Sequence, residues 1–149
     1  LNFLRSQELF AIQQYMNHHY RVKGQDFADI KELERGIAIV EMRHAEALAE
    51  KINMLGGDPI SGFGELAEMR GSKITAGETT EEMIKADLGL ERNAIREYTK
   101  AIRDIGDSDP ATRKMLEDIL AQEEEHADSF STWLGEEQAY ELRGLREVS

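Results

Sequence analysis

One motif is written twice in this chain. Glu8-x-x-Ala11-Ile12-x-x-Tyr15 is followed, 33 residues after its glutamate, by Glu41-x-x-His44-Ala45. Glu91-x-x-Ala94-Ile95-x-x-Tyr98 is followed, 32 residues after its glutamate, by Glu123-x-x-His126-Ala127. Each half therefore offers a lone glutamate and a Glu-x-x-His pair at nearly the same separation. Glutamate and histidine three residues apart on a helix share a face, with Cβ atoms about 5–6 Å apart. Four carboxylates and two imidazoles form the donor set with which a four-helix bundle holds two metal ions in its core.

The rest of the chain supplies four helices for that set. Leu4, Leu9, Ile12, Tyr15 and Met16 recur at helical spacing over residues 2–22, and Gly24 follows as a stop signal. A second helix is expected over about 27–55, with Ile30, Leu33, Ile37, Val40, His44, Leu48 and Ile52 near one stripe, closed by Gly56-Gly57-Asp58-Pro59. Residues 57–78 are rich in Gly and Ser and weakly periodic; they read as one long crossover, since the chain must travel the length of a bundle before its third long helix. Thr79-x-x-Glu82 matches a capping box and opens a helix over about 80–105. Asp109-Pro110 gives a cap and a first-turn proline for a helix over about 110–134, and a short fifth helix is expected over about 136–147. The fold class read from this order is all-α, an antiparallel four-helix bundle, with residues 1–149 as a single domain.

The two halves agree on where the six side chains sit. Glu8 lies about 16 residues before the first turn and Glu41 about 15 after it, so an antiparallel pair places them level. Glu91 and Glu123 lie about 16 residues either side of the turn at Gly106–Asp109. All six groups then converge near mid-bundle. Carboxylate and imidazole suit ferrous iron, manganese or zinc, and two ions about 3.5–4 Å apart can act together on one small substrate. Four carboxylates in an apolar core are costly without cations, so part of the set should be protonated when metal is absent.

Composition narrows the partners. The chain has 30 acidic and 18 basic residues, a net charge of −12, which is the wrong sign for direct nucleic-acid binding. It has no cysteine, which removes disulfides, thiol catalysis and Cys-ligated clusters and fits a reducing cytoplasm. No run of eighteen apolar residues is present to span a membrane, and no signal peptide is visible.

At these residues the sequence resembles the ferritin-like superfamily, and bacterioferritin within it. The segments that carry the likeness are Glu8-Leu9-Phe10-Ala11-Ile12-Gln13-Gln14-Tyr15, Glu41-Met42-Arg43-His44-Ala45, Asp87-Leu88-Gly89-Leu90-Glu91 and Glu123-Glu124-Glu125-His126. The resemblance implies Glu8 and His44 as terminal ligands of one iron, Glu91 and His126 of the other, and Glu41 and Glu123 as bridges. It implies Tyr15 as a hydrogen-bonding partner of a ligand carboxylate, against the alternative of a core tyrosine; Tyr98 has the pseudo-symmetric claim. Met42, about 100° around the helix from Glu41, faces outward. It matches the methionine that ligates haem b across a two-fold subunit interface, against the alternative of a gap-filling interface methionine. Gly36 and Val40 stand where some members carry His and Asp for an iron on the inner surface.

The implied activity is ferroxidation: ferrous iron oxidised by O2 or H2O2 and stored as ferric mineral in a hollow homo-oligomeric shell, of 24 subunits by preference or of 12. The competing readings are a di-iron redox enzyme that stores nothing, such as a rubrerythrin-like or Dps-like peroxide detoxifier, and a helical assembly whose metals are structural. His18 and His19 read as surface or boundary histidines, against the alternative of a part in haem surroundings or entry sites; Glu32, Glu34, Glu46 and Glu50 read as a solvated helix face, and Phe130 and Trp133 as packing residues.

Overall fold

The computed structural model describes residues 1–70, 74 and 77–135. Its helices are α1 (Asn2–Arg21), α2 (Phe27–Met54), α3 (Phe63–Arg70), α4 (Thr80–Ile105) and α5 (Pro110–Leu134). The four long helices fall within a residue or so of the spans read from the sequence. The expected helix over 136–147 lies outside the described residues.

Local chemistry sets the boundaries. Gly24 (φ 101°) and Asp26 (φ 62°) turn the chain in the left-handed region between α1 and α2. At the start of α4 the Glu82 amide donates to Thr79 Oγ1 at 3.2 Å while the Thr79 amide donates to Glu82 Oε2 at 3.1 Å, the reciprocal pair of a capping box. Asp109 Oδ1 accepts from the Thr112 amide at 3.0 Å, and Pro110, which lacks an N–H, occupies the first turn where none is needed.

The chain forms two helical hairpins, α1 with α2 and α4 with α5, joined face to face through α1–α4 and α2–α5 contacts. Pairings across α1–α4 run in opposite directions: Gln7 meets Asn93, whereas Gln14 and His18 meet Asp87. The two helices are therefore antiparallel.

The crossover differs from the featureless loop expected. It contains α3, and α1 holds it at both ends. Asn2 binds Asp58 and Ile60, and Arg5 Nε donates to the Ile60 carbonyl at 3.1 Å. At the far end Arg21 donates to the Gly77 carbonyl at 2.8 Å, and Thr80 Oγ1 donates to the Lys23 carbonyl at 2.8 Å. The two ends of the segment thus sit beside opposite ends of α1, the second of them where α4 begins.

Two apolar clusters form the core. One gathers Tyr15, Val22, Ile30, Ile37, Ala38, Ile84, Leu88, Ala127 and Phe130; the other gathers Leu4, Leu48, Tyr98, Leu116 and Ile119. Between them lies a polar layer, and it explains a misreading of α1. The apolar stripe expected there has Leu9 and Ile12 only half-buried, while the buried face is mainly polar: Ser6, Gln7, Glu8, Gln14 and His18 beside Leu4 and Tyr15. The inward face of α1 is given over to the site, so hydrophobic periodicity pointed elsewhere. Phe130 packs in the core as expected, but Trp133 is 37% exposed. No helix among the described residues is long and apolar enough to cross a membrane.

Candidate metal centre

The six residues singled out from the repeated motif meet in the polar layer. Glu8 comes from α1, Glu41 and His44 from α2, Glu91 from α4, and Glu123 and His126 from α5; each is at most 8% exposed. Their donor atoms fall into two groups, Glu8–Glu41–His44–Glu123 and Glu41–Glu91–Glu123–His126, each within a 4.8 Å span. Glu41 and Glu123 belong to both.

The two halves mirror each other. His44 Nδ1 lies 2.9 Å from Glu123, 3.0 Å from Glu41 and 3.7 Å from Glu8. His126 Nδ1 lies 2.8 Å from Glu41 and 3.7 Å from Glu91. The two imidazoles stack at 6.0 Å between ring centres with 27° between planes. Tyr15, on α1, donates its hydroxyl to Glu91 on α4; Tyr98, on α4, donates to Glu8 on α1. Each tyrosine stands seven residues, two helical turns, beyond the glutamate of its own helix. Antiparallel packing therefore brings it to the glutamate of the other. Tyr98 thus holds the same place as Tyr15, on the evidence of its contact.

Electrostatics reflect crowding of acids in a dry layer. Burial, reinforced by the charges of Glu8 and Glu91, pushes Glu41 well above the ordinary carboxylate range. Burial and the charges of Glu41, Glu8 and Glu91 do the same to Glu123. Burial also opposes the charge on Glu8, but contacts with His44, Glu41 and Tyr98 outweigh it and hold Glu8 below its ordinary value. Burial alone would lower His44; its contacts with Glu123, Glu41 and Glu8 prevail and raise it. Both buried tyrosines are raised, by desolvation first and then by neighbouring carboxylates, Glu91 at Tyr15 and Glu8 at Tyr98. They remain neutral donors.

The layer is incompletely satisfied by the protein. Glu41 Oε1, Glu91 Oε2, Glu123 Oε1 and His126 Nδ1 are buried without a hydrogen bond of proper geometry. Buried polar atoms in folded proteins are nearly always paired. Orphaned oxygens and a ring nitrogen converging on one space are the donor set that divalent cations satisfy, and the residues fit a two-cation centre. Gln122 steadies one edge: its Oε1 lies 2.9 Å from His44 Nε2. The sequence reading missed Gln122. The residue neighbours Glu123, but its side chain's direction follows only from the packing of α5.

Met42 is 57% exposed on the outer face of α2, as its offset from Glu41 implies. Two other expectations are overturned. His18 is fully buried, not at the surface: its Nδ1 lies 2.8 Å from Asp87 Oδ2, and both side chains are 0% exposed. Glu34 is likewise 0% exposed, while Glu32, Glu46 and Glu50 do face solvent. Glu34 lies one helical turn from Ile30 and from Ile37 on the inward stripe of α2, and this spacing was the available signal for its burial.

An all-helical bundle whose four long helices each lend a glutamate to two adjoining histidine-bearing donor groups defines a class: four-helix bundles with carboxylate-rich, metal-binding cores. The ferritin-like domain model matches residues 1–139, and the chain belongs to that family. It is 33% identical over 127 residues to a bacterioferritin of Desulfovibrio desulfuricans, covering 85% of this chain and 67% of that protein. It is 34% identical to a bacterioferritin of Mycobacterium leprae, covering 90% and 80%. Among solved structures, the dodecameric thioferritin of Bacteroides fragilis, a bacterioferritin-related protein, superposes with a TM-score of 0.85 at 26% identity over 90% of this chain and 81% of that one. The Desulfovibrio desulfuricans bacterioferritin, studied for its diiron site, superposes with a TM-score of 0.78 at 31% identity over 88% and 73%.

Proposed function

We propose that this chain is the subunit of an iron-storing ferroxidase. Ferrous iron is its substrate. Glu8 and His44 hold one ion, Glu91 and His126 the second, and Glu41 and Glu123 bridge them. With H2O2 as oxidant, two ferrous ions each give up one electron, and the peroxide takes two protons and leaves as two waters. With O2, the same two electrons and two protons yield H2O2. The ferric product then passes to a mineral inside a hollow homo-oligomer.

The observation that carries this reading is the sharing of Glu41 and Glu123 between two donor groups whose remaining members come in matched pairs. A single-ion structural site has no use for that symmetry. Ferric ions carry more charge than ferrous ions, so a layer of four carboxylates favours the oxidised pair electrostatically. The two tyrosine hydroxyls fix the terminal carboxylates, which orients the ligands before iron arrives. Family membership adds an assembly: one relative of solved structure is a dodecamer.

Aerobic addition of ferrous iron to purified protein tests the proposal. We expect saturable oxidation of two irons per subunit, a fast phase abolished in Glu91→Ala, and a particle of at least twelve subunits by light scattering that accumulates iron well beyond two per subunit. Unchanged initial oxidation in Glu91→Ala would remove the ligand assignment. Oxidation without accumulation would leave the non-storing di-iron redox enzyme as the function.

A further inference from the structure

A second buried cluster lies one helical turn along α4 from the dinuclear layer. His18 from α1, Glu34 from α2 and Asp87 from α4 bring donor atoms within 4.8 Å of one another, and all three are 0% exposed. Asp87 precedes Glu91 by four residues, so the two share a face of α4.

The cluster is unbalanced in charge and in hydrogen bonding. Asp87 is well served: Gln14 Nε2 donates to its Oδ1 at 2.8 Å, and His18 Nδ1 lies 2.8 Å from its Oδ2. Glu34 is not. Both of its carboxylate oxygens are buried and meet the Asp87 carboxylate, acid against acid, without a hydrogen bond of proper geometry. A surface glutamate has no reason to be brought here, and a core position could be filled by an apolar residue at lower cost. A buried carboxyl set against a second carboxylate and an imidazole must either keep a proton or meet a cation.

We propose that His18, Glu34 and Asp87 form a third metal site, a mononuclear site for a divalent first-row cation such as Mn2+, Fe2+ or Zn2+. Two carboxylates and one neutral imidazole are a mixed oxygen–nitrogen donor set suited to those ions. Two negative charges against one divalent cation leave the buried cluster neutral. Gln14 holds the carboxylate of Asp87 from behind, the arrangement by which an outer hydrogen bond orients a metal ligand. The three donors come from three helices, so an ion here would also tie α1, α2 and α4 together. The argument uses none of the six residues of the dinuclear layer and stands whether or not that layer oxidises iron.

Anaerobic equilibrium dialysis of the assembled protein against Co2+, followed by metal analysis, is the test. Wild type should hold three Co2+ per subunit, and Glu34→Gln and Asp87→Asn one fewer, with unchanged helical circular dichroism and particle mass. Glu91→Gln combined with His126→Gln should retain the ion that Glu34→Gln loses, which separates this site from the dinuclear one. Wild-type crystals soaked in Co2+ should show an anomalous peak among His18, Glu34 and Asp87, a readout that needs no variant to fold. Absence of that peak, or a stoichiometry that Glu34→Gln leaves unaltered, would overturn the site and leave a shared proton as what satisfies the acid pair.

Discussion

The Tyr15 hydroxyl on α1 donates to the Glu91 carboxylate on α4, so each half of the repeated motif reaches across the bundle to complete the other. Tyr98 returns the contact to Glu8. A tyrosine that orients a metal-binding carboxylate affects the ion on that half more than the ion on the other. Replacing Tyr15 by Phe leaves the ring packed against Phe130, 5.7 Å away between ring centres, and removes only the donor. Such outer hydrogen bonds are worth about 10–100-fold in metal affinity or activity. Tyr15→Phe should therefore weaken one of the two Co2+ binding steps of the dinuclear layer by about tenfold or more, and Tyr98→Phe the other. Titration followed by the cobalt visible bands distinguishes them; two variants that titrate like wild type would show that the hydroxyls do not position the ligands.

Glu34 makes a separate, pH-dependent prediction. Burial first, and then the charge of Asp87, push its carboxyl from 4.5 to about 10. A carboxyl raised on folding favours the folded state only in its neutral form. Its contribution is complete below the unfolded value and is lost as pH rises toward the folded one. Between those limits each pH unit costs about 1.4 kcal/mol, so the metal-free protein near pH 7.5 carries a penalty of up to about 4 kcal/mol at this residue. Glutamine has nearly the same shape and no charge. In EDTA, Glu34→Gln should match wild type near pH 4.5 and exceed it at pH 8 by about 1–3 kcal/mol, read from denaturant midpoints. A gap that does not widen with pH would place Glu34 in a better-solvated setting than this structure gives it.

Met42 tests the subunit interface. Met42 lies on the outer face of α2, 57% exposed in a single subunit. Haem b, if bound, would be held by the Met42 sulfur and the same atom of a second copy, and it would supply a redox-active centre between two subunits. Protein loaded with haem should show a bis-methionine Soret spectrum that Met42→Ala loses, with particle mass unchanged. A variant that keeps full haem absorbance would make Met42 a packing residue of the interface.

What was legible in the sequence followed from repetition and punctuation. Glu41 and His44, or Glu123 and His126, are joined by helical spacing alone, and the turns at Gly24 and Gly106 set the level of each pair. Two independent halves then gave one site. Capping signals at Thr79 and Asp109 placed two helix starts to the residue. What was not legible depended on long-range packing. Glu34 looks like its neighbours Glu32 and Glu46 in composition, and only its place one turn from Ile30 and Ile37 separates it from them. His18 is buried because Asp87, 69 positions away, waits for it. Nothing local encodes such a partner. α3 was hidden because its eight residues, Phe63–Arg70, carry too little apolar periodicity to stand out from a Gly-rich crossover.

The end of that crossover gives the last prediction. Gly77 has φ of +45°, and Arg21 holds its carbonyl at 2.8 Å. A Cβ built there would lie 2.9 Å from the Met83 amide nitrogen and 3.0 Å from Met83 Cγ. The first contact is with backbone at the start of α4 and cannot be relieved by a rotamer change. Alanine at this position meets both a left-handed backbone and a clash, each worth about 1–3 kcal/mol at an over-determined site. Gly77→Ala should thus lower the thermal midpoint by several degrees, whereas Gly56→Ala, with a positive φ but open space around its Cβ, should cost less. Relief of the clash would have to move the first two turns of α4, which carry Ile84 and Asp87 in the core. Co2+ binding at the His18–Glu34–Asp87 cluster should therefore weaken in Gly77→Ala more than binding at the dinuclear layer, which lies a turn further along the helix. Equal loss at both sites, or none in thermal stability, would mean that the crossover does not set the position of α4.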